Sequence, residues 1–345
     1  MDPAIVRVLL ESTVKIALFF FVMLTVVAYM TWVERRVSAW IQDRLGPNRV
    51  GPLGLLQPLA DGIKFLFKEE VTPPHVYLPV YLLAPMLIFV PALVTFSVVP
   101  IGPTLDLLGH RIALQIADVD NGILVVLAFS SMGVYGVALA GWSSNNKYSL
   151  MGGLRSSAQL ISYELAMGVA IVGVLMATGS LRLSDVVEHQ IRNGWNVLYQ
   201  LPGFLVFLTA AFAETNRMPF DLPEAETELV AGYHTEYSGM RFSMFYMAEY
   251  ANMVTASALV VTLYLGGYHV PGLARLGLPE TVAALIQVLA FCLKVAFFLF
   301  VYVWVRWTVP RFRYDQLMNL GWKGLLPIGL ANILWVAFLA LKGWA

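Results

Sequence analysis

Eight stretches of this chain contain almost no charged side chains and are long enough to cross a lipid bilayer as helices. They run for 18 to 35 residues between flanking Lys, Arg, Asp or Glu residues, and only Glu164 and Lys294 interrupt any of them. A helix needs about 20 mostly apolar residues to cross the hydrocarbon core. The pattern therefore predicts an all-α integral membrane protein with eight transmembrane helices. The predicted spans are 14–33, 79–99, 122–141, 158–178, 200–214, 243–266, 282–305 and 325–342.

The composition excludes a soluble enzyme and a chain that carries its own redox centre. Charged residues make up 13% of the chain, about half of the roughly 25% typical of soluble domains. The 22 basic and 22 acidic residues balance, so no net field is available to attract nucleic acid. The single cysteine, Cys292, excludes an internal disulfide, a C-x-x-C pair and an iron–sulfur cluster ligated by this chain alone. The five His residues lack metal-ligand spacing, so we predict no metal site.

The distribution of basic residues predicts the orientation of the bundle. Loops after the odd-numbered spans hold 14 Lys and Arg residues, whereas the opposite side holds six. Since basic residues accumulate on the cytoplasmic side, loops 34–78, 142–157, 215–242 and 306–324 are predicted to be cytoplasmic and both termini periplasmic. Within the first loop, apolar and polar residues separate onto two helical faces after Leu55. This predicts a short amphipathic helix in the membrane interface.

Four ionisable residues fall inside the predicted spans or at their ends. Glu164 lies about two turns into the fourth span, Lys294 near the middle of the seventh, and Glu214 and Glu249 at the cytoplasmic ends of the fifth and sixth. Charged groups at membrane depth cost about 2.5–3.5 kcal/mol on insertion scales and often mark an ion path. These four residues are therefore candidates for proton transfer. The alternative is a static Glu164–Lys294 ion pair, with Glu214 and Glu249 wetted by headgroup water.

The loop after the fifth span combines acidic with apolar residues. The segment contains six carboxylates but only two basic residues, Arg217 and Arg241. Closely spaced carboxylates can store protons, although a charge run alone is more often an ordinary solvated loop. The interleaved Pro and aromatic residues favour packing against another surface. The six acids are Glu214, Asp221, Glu224, Glu226, Glu228 and Glu236.

Six motifs, which follow one another in order between Glu34 and Pro327, resemble a single protein family. They are similar to the H subunit of bacterial NADH-quinone oxidoreductase, which is the counterpart of a core membrane subunit of mitochondrial respiratory complex I. The motifs are ERR at 34–36, RLGPNRVGP at 44–52, LLQPLAD at 55–61, AQLISYE at 158–164, the acidic segment 213–237, and PRFRYDQLM at 310–318.

The resemblance implies a subunit of the cell inner membrane that joins the redox-active peripheral arm to the membrane arm. Its cytoplasmic loops would form much of a quinone-access chamber, closed by two peripheral-arm subunits. Quinone would be the substrate, and this chain would bind no cofactor by itself because flavin and iron–sulfur clusters belong to partner subunits. Antiporter-like and small membrane subunits, together with lipid, would be the other partners. No residue of this chain is predicted to be catalytic in the bond-making sense.

The resemblance also implies roles for individual residues. Those implied to line the quinone chamber are Glu34, Arg35, Arg36, Arg44, Asp61, Lys64, Arg217 and Phe220. Those implied to form a proton path are Glu214, Asp221, Glu224, Glu226, Glu228, Glu164 and Glu249. We add Lys294 to this path on its membrane depth alone.

Other interpretations stay open at this point. The equivalent subunit of a membrane-bound hydrogenase also resembles complex I and need not use quinone. A stand-alone ion-coupled transporter usually shows Gly- or Pro-broken helices in matched halves, and Pro91 in the second span has no paired counterpart. A purely structural connector is the third alternative. Without the resemblance, Arg35, Arg36 and Arg44 are better read as positive-inside anchors.

Overall fold

The structure is a computed structural model that describes residues 3–107, 110–222 and 229–343. Within these residues the chain is almost entirely helical, with one short antiparallel pair of strands, β1 (Leu105–Leu107) and β2 (His110–Ile112). A six-residue π-helical segment, Leu320–Leu325, joins the last two helices. The helices are α1 (Pro3–Ile41), α2 (Gln57–Phe67), α3 (Leu78–Phe96), α4 (Gly122–Ser143), α5 (Lys147–Thr178), α6 (Leu183–Asn193), α7 (Leu201–Glu214), α8 (Gly239–Tyr264), α9 (Glu280–Thr308), α10 (Tyr314–Asn319) and α11 (Leu326–Leu341).

Six helical segments in the described residues are long and apolar enough to cross a membrane, which supports the predicted membrane protein. They lie in α1, α3, α4, α5 and α9, and in the continuous stretch from α10 to α11. The other two predicted spans correspond to α7 and α8. At 14 residues α7 is shorter than the bilayer core requires. Polar residues such as Glu249 and Asn252 interrupt the apolar sequence of α8. A count of eight spans therefore stays a prediction.

Several helices extend beyond the predicted spans. The first helix continues to Ile41 and so includes Glu34, Arg35 and Arg36. Similarly, α5 begins at Lys147, where the Asn146 side chain accepts a 3.0 Å hydrogen bond from the Tyr148 N–H. Windows free of charge identify only the part of a helix inside the hydrocarbon layer, because a helix continues readily into the polar headgroup region. The connections between helices are consequently shorter than the sequence predicts.

Helix α5 packs against α4, α7 and α11, and α8 packs against α3. Glycine permits the closest approaches. A Cβ atom added to Gly152 would lie 2.6 Å from the Gly232 Cα, and one added to Gly153 would lie 3.2 Å from the Val137 carbonyl oxygen. Farther along α5, the Gln159 side chain reaches the segment that follows α7. The N-terminal half of α5 therefore supports the segments from which the candidate site is built.

Candidate functional site

Four distant parts of the chain meet in a buried cluster of charges around Glu34. The Glu34 carboxylate accepts hydrogen bonds from Arg217 Nη1 at 3.0 and 3.1 Å and from the Tyr250 hydroxyl at 2.7 Å. Arg306 also donates to it. Glu249 completes the group through an ion pair with Arg217. We refer to these five residues as the Glu34 cluster.

Arg217 is the centre of this cluster and is almost inaccessible to solvent, with 3% of its surface exposed. Its Nε lies 2.5 Å from a Glu249 carboxylate oxygen, and its guanidinium lies 4.3 Å from the centre of the Tyr250 ring. Burial alone would lower the pKa of the Arg217 guanidinium, but the carboxylates of Glu249 and Glu34 raise it well above its ordinary value. Arg217 is therefore a permanent positive charge that compensates the buried Glu34 and the partly buried Glu249.

The chain directs Arg217 inward through a turn at the end of α7. Asn216 adopts a left-handed backbone conformation, with φ of 50°, which Asn tolerates better than most residues. Gln159 Nε2 then donates to the carbonyl oxygens of Ala213 at 2.8 Å and Phe220 at 2.7 Å. One buried amide on α5 thus fixes both ends of the turn that carries Arg217.

Phe220 and Asp221 lie directly after this turn and are buried. The Phe220 ring packs between those of Tyr163 and Phe312, with centroids 5.5 Å apart in each pair. Asp221 accepts a 2.9 Å hydrogen bond from Arg311. Since Arg311 and Phe312 belong to the motif at 310–318, two of the motifs singled out in the sequence are in direct contact.

Glu164 and Glu214 are held by consecutive residues of α4. Ser130 hydrogen-bonds to Glu214, and Ser131 hydrogen-bonds to Glu164. Both carboxylates line a cavity of about 40 Å³, together with Ser130, Asn216 and other residues. A water molecule needs roughly 10–15 Å³ measured in this way, so the cavity has room for about three or four waters. The two acids therefore border one polar space that can be hydrated.

The predicted amphipathic segment forms helix α2, which packs along α1. Arg35 of α1 and Asp61 of α2 form an ion pair at 2.7 Å, and Lys64 lies 3.5 Å from the same carboxylate. Several apolar side chains of α2 are exposed: Leu59 is 62% exposed and Leu66 is 68% exposed. An apolar face with a charged edge is consequently open beside the end of α1 that carries Glu34.

The remaining predicted chamber residues lie outside the Glu34 cluster. Arg36 Nη1 donates to the Pro47 carbonyl at 3.1 Å, and Arg44 Nε donates to the Gln42 side chain at 2.7 Å. Three residues of the predicted proton path lie outside the described residues: Glu224, Glu226 and Glu228.

A static ion pair between Glu164 and Lys294, the alternative considered from the sequence, is wrong. The Lys294 ammonium donates to the carbonyl oxygens of Leu265, Gly267 and His269 at 2.8 to 2.9 Å. It also lies 4.7 Å from the centre of the Trp195 ring. These carbonyls follow the C-terminus of α8, where a cation satisfies exposed acceptors and interacts favourably with the helix dipole.

Comparison with known proteins assigns the chain to a family. A family model described as NADH dehydrogenase matches residues 14–337. The chain belongs to this family. It is 54% identical to an H subunit of NADH-quinone oxidoreductase from Koribacter versatilis, over 97% of this chain and 98% of the relative. The corresponding H subunit from Leptospira biflexa is 52% identical over 96% of both chains, and one from Geobacter metallireducens is 53% identical over 94% of this chain and 96% of the relative.

For this member of the NADH dehydrogenase family, sequence reasoning missed several site residues. Arg306 was counted only as a positive-inside residue, and Tyr250 and the Ser130–Ser131 pair carry no charge, so windows defined by charge ignore them. A signal was nevertheless present. Tyr250 directly follows Glu249, and Ser130 and Ser131 are a polar pair in the middle of a predicted span. A search for polar residues of any kind within the spans would have found them.

Replacing Lys294 by Met should lower the thermal stability of the assembled family complex and leave the number of protons pumped per quinone reduced unchanged. The reason is that three carbonyl oxygens lose a charged donor. Each of these hydrogen bonds contributes at most roughly 1.5–3 kcal/mol to the free energy of unfolding. Thermal inactivation of the solubilised enzyme and proton pumping in vesicles provide the two measurements. A selective loss of pumping at normal stability would instead support the predicted place of Lys294 on the proton path.

Proposed function

We propose that this chain is a membrane subunit of a proton-pumping NADH-quinone oxidoreductase. It forms much of the quinone-access chamber and couples quinone reduction to proton translocation through buried carboxylates. The relatives named above support the enzyme. The observation that carries the coupling role is the Glu34 cluster, where two acids and two arginines are held together in a largely buried site beside an exposed apolar helix.

The surroundings of Glu34 suit a molecule with an apolar tail and a polar head. Quinone has this form, and a site for it needs an apolar surface together with a few well-placed polar groups. The exposed apolar face of α2 offers the first, and Arg35, Asp61 and the neighbouring Glu34 cluster offer the second. In this proposal the tail lies along α2 and the head is directed towards Glu34 and Arg217. The proposed chamber residues are Glu34, Arg35, Arg36, Arg44, Asp61, Lys64, Arg217 and Phe220.

The proposed proton path runs from the Glu34 cluster into the bundle. Negative charge on the reduced quinone draws protons from nearby acids, and the vacancy passes to Glu214 and then to Glu164 across their shared cavity. Moving one charge against 100 mV requires about 2.3 kcal/mol, so the reaction must change the energies of these sites by at least that amount. The proposed path includes Glu249, Asp221, Glu224, Glu226, Glu228, Glu214 and Glu164. Lys294, which the sequence analysis added to this path, is left out of the proposal because its ammonium group donates to three backbone carbonyls.

The same proposal fixes the orientation and the partners. The chain crosses the cell inner membrane eight times, with α7 and α8 as the two additional spans and both termini in the periplasm. The end that carries the Glu34 cluster then faces the cytoplasm and the peripheral-arm subunits, whose flavin and iron–sulfur clusters supply electrons. Antiporter-like and small membrane subunits receive the proton signal.

Labelling with a photoreactive quinone analogue tests the chamber. In the assembled enzyme, label should attach within residues 34–64 and 217–220, and excess unlabelled quinone should remove it. Label found only in partner subunits, under conditions in which the analogue still supports enzyme turnover, would contradict the proposed chamber in this chain.

A further inference from the structure

We infer that the Ser131 hydroxyl is a two-position partner of Glu164, which hydrogen-bonds the carboxyl group both when it is ionised and when it is protonated. The inference rests on the proposed role of Glu164 in proton transfer and adds a positioning residue to it. It derives from the Ser131 hydroxyl, which has one hydrogen and lies beside two acceptors.

Two acceptors compete for one hydrogen at Ser131. Its Oγ lies 2.8 Å from the Leu127 carbonyl oxygen and is also in contact with Glu164 Oε1. A serine hydroxyl has a single hydrogen and two lone pairs. It cannot donate to both oxygens at once, so the arrangement has two alternatives that differ in where the hydrogen points.

Each alternative corresponds to one charge state of Glu164. When Glu164 is ionised, Ser131 donates its hydrogen to the carboxylate. When Glu164 is protonated, the carboxyl O–H donates to Ser131 Oγ, and Ser131 turns its own hydrogen to the Leu127 carbonyl. That carbonyl is also the ordinary helical acceptor for the N–H four residues later, so it keeps a partner in both states. Neither state therefore leaves the Ser131 hydroxyl, Glu164 Oε1 or the Leu127 carbonyl without a hydrogen bond.

Ser130 provides a contrast one residue earlier. Within the described part of the chain, its hydroxyl has Glu214 as its hydrogen-bond partner and no carbonyl as a second acceptor. If Glu214 were protonated and donated to Ser130, the hydroxyl hydrogen would have to find cavity water. Each carboxylate is thus hydrogen-bonded by a serine. Ser131 has a backbone carbonyl to which it can donate when its carboxylate is protonated, whereas Ser130 has none within the described residues.

The proton itself travels through the cavity rather than through the serine. Glu164 in its acid form transfers its proton to a cavity water, giving the carboxylate and a hydronium ion, while Ser131 rotates and keeps its own hydrogen. Glu164 and Glu214 are the titratable groups that line this cavity. Because Ser131 stabilises both charge states, it reduces the change in hydrogen bonding that accompanies each transfer.

The test is infrared difference spectroscopy on the assembled enzyme, in which quinone reduction changes the charge of Glu164. The carbonyl stretch that disappears in Glu164→Gln identifies the acid form. In Ser131→Ala this band should shift to higher wavenumber, since the carboxyl group loses its acceptor, and the pumping rate should fall about tenfold. Ser131→Thr should restore both, because a Thr hydroxyl in a helix can also bond to the carbonyl four residues back.

Ser257→Ala is the matched control. Ser257 is a buried helical serine that donates to the Met253 carbonyl at 2.8 Å in the same way, and within the described residues it has no carboxylate as its partner. This variant should leave the band and the pumping rate unchanged. If Ser131→Ala does not assemble, Ser131→Cys, which has similar volume and a much weaker donor, should show the same shift.

An unshifted carbonyl band in assembled Ser131→Ala would overturn the inference. The pumping rate of Glu164→Gln tests the proposed function independently. Full pumping in Glu164→Gln together with a shifted band in Ser131→Ala would contradict the proposed role of Glu164 in proton transfer but would still support the two-position contact.

Discussion

Replacing Arg217 by Leu should abolish quinone reductase activity in the assembled enzyme and lower its thermal stability strongly. The substitution removes the positive charge between Glu34 and Glu249 and leaves both carboxylates in a site where Glu34 is only 6% exposed. Removing one partner from a buried ion pair typically costs about 3–5 kcal/mol. Thermal inactivation of the solubilised complex measures the stability, and quinone reduction in membranes measures the activity.

Two further variants separate charge from geometry. Arg217→Lys keeps the charge but cannot contact Glu34 and Glu249 through a planar fork, so it should give intermediate stability and low activity. Arg192→Ala removes an exposed arginine that is paired with Glu188 at 3.4 Å, and pairs of this kind contribute little. It should behave like the unmodified enzyme. Arg217→Leu with normal activity and stability would remove the Glu34 cluster from the proposed mechanism.

Glu214→Gln should lower quinone reduction and proton pumping together, each by more than tenfold. Gln has nearly the same shape as Glu and can still accept a hydrogen bond from Ser130, but it cannot take up or release a proton. Assembly and thermal stability should therefore stay close to normal. Pumping is followed with a pH-sensitive dye in vesicles, and quinone reduction is followed from NADH oxidation.

The control for this prediction is Glu188→Gln, because Glu188 is an acid on α6 with an exposed side chain. It should change neither activity. Normal quinone reduction with loss of pumping in Glu214→Gln would show that the two activities do not depend on one proton path through Glu214. Retention of both activities would exclude Glu214 from the path altogether.

The general architecture could be predicted from the sequence because membrane spans depend on a local property. Runs without charged residues located α1, α3, α4, α5, α9 and α11, since each helix satisfies its own backbone hydrogen bonds within one segment. The ends of helices were predicted less well. Charges such as Glu34 in α1 and Arg155 in α5 lie on continuing helices, and a rule that ends each span at a charge cannot register this.

The candidate site was predictable only in part, because its contacts are long-range. Glu34, Arg217 and Glu249 were all named from sequence, but as members of two separate groups, whereas they form one cluster in the structure. The contact between Glu34 and Arg306 joins residues 272 positions apart, and no local pattern indicates it. Lys294 is the opposite case. Its depth in a predicted span suggested a role in proton transfer, but in the structure its ammonium group donates to backbone carbonyls.

The Glu34 cluster is electroneutral, since two carboxylates are matched by two guanidinium groups. A group of charges in a medium of low polarisability resists any change in its total charge, because an unbalanced ion there is poorly screened. An anion that arrives beside it would restore neutrality most easily by attracting one positive charge, and the smallest positive charge available is a proton. If quinone binds beside the cluster as proposed, each negative charge formed on it is therefore expected to draw in one proton.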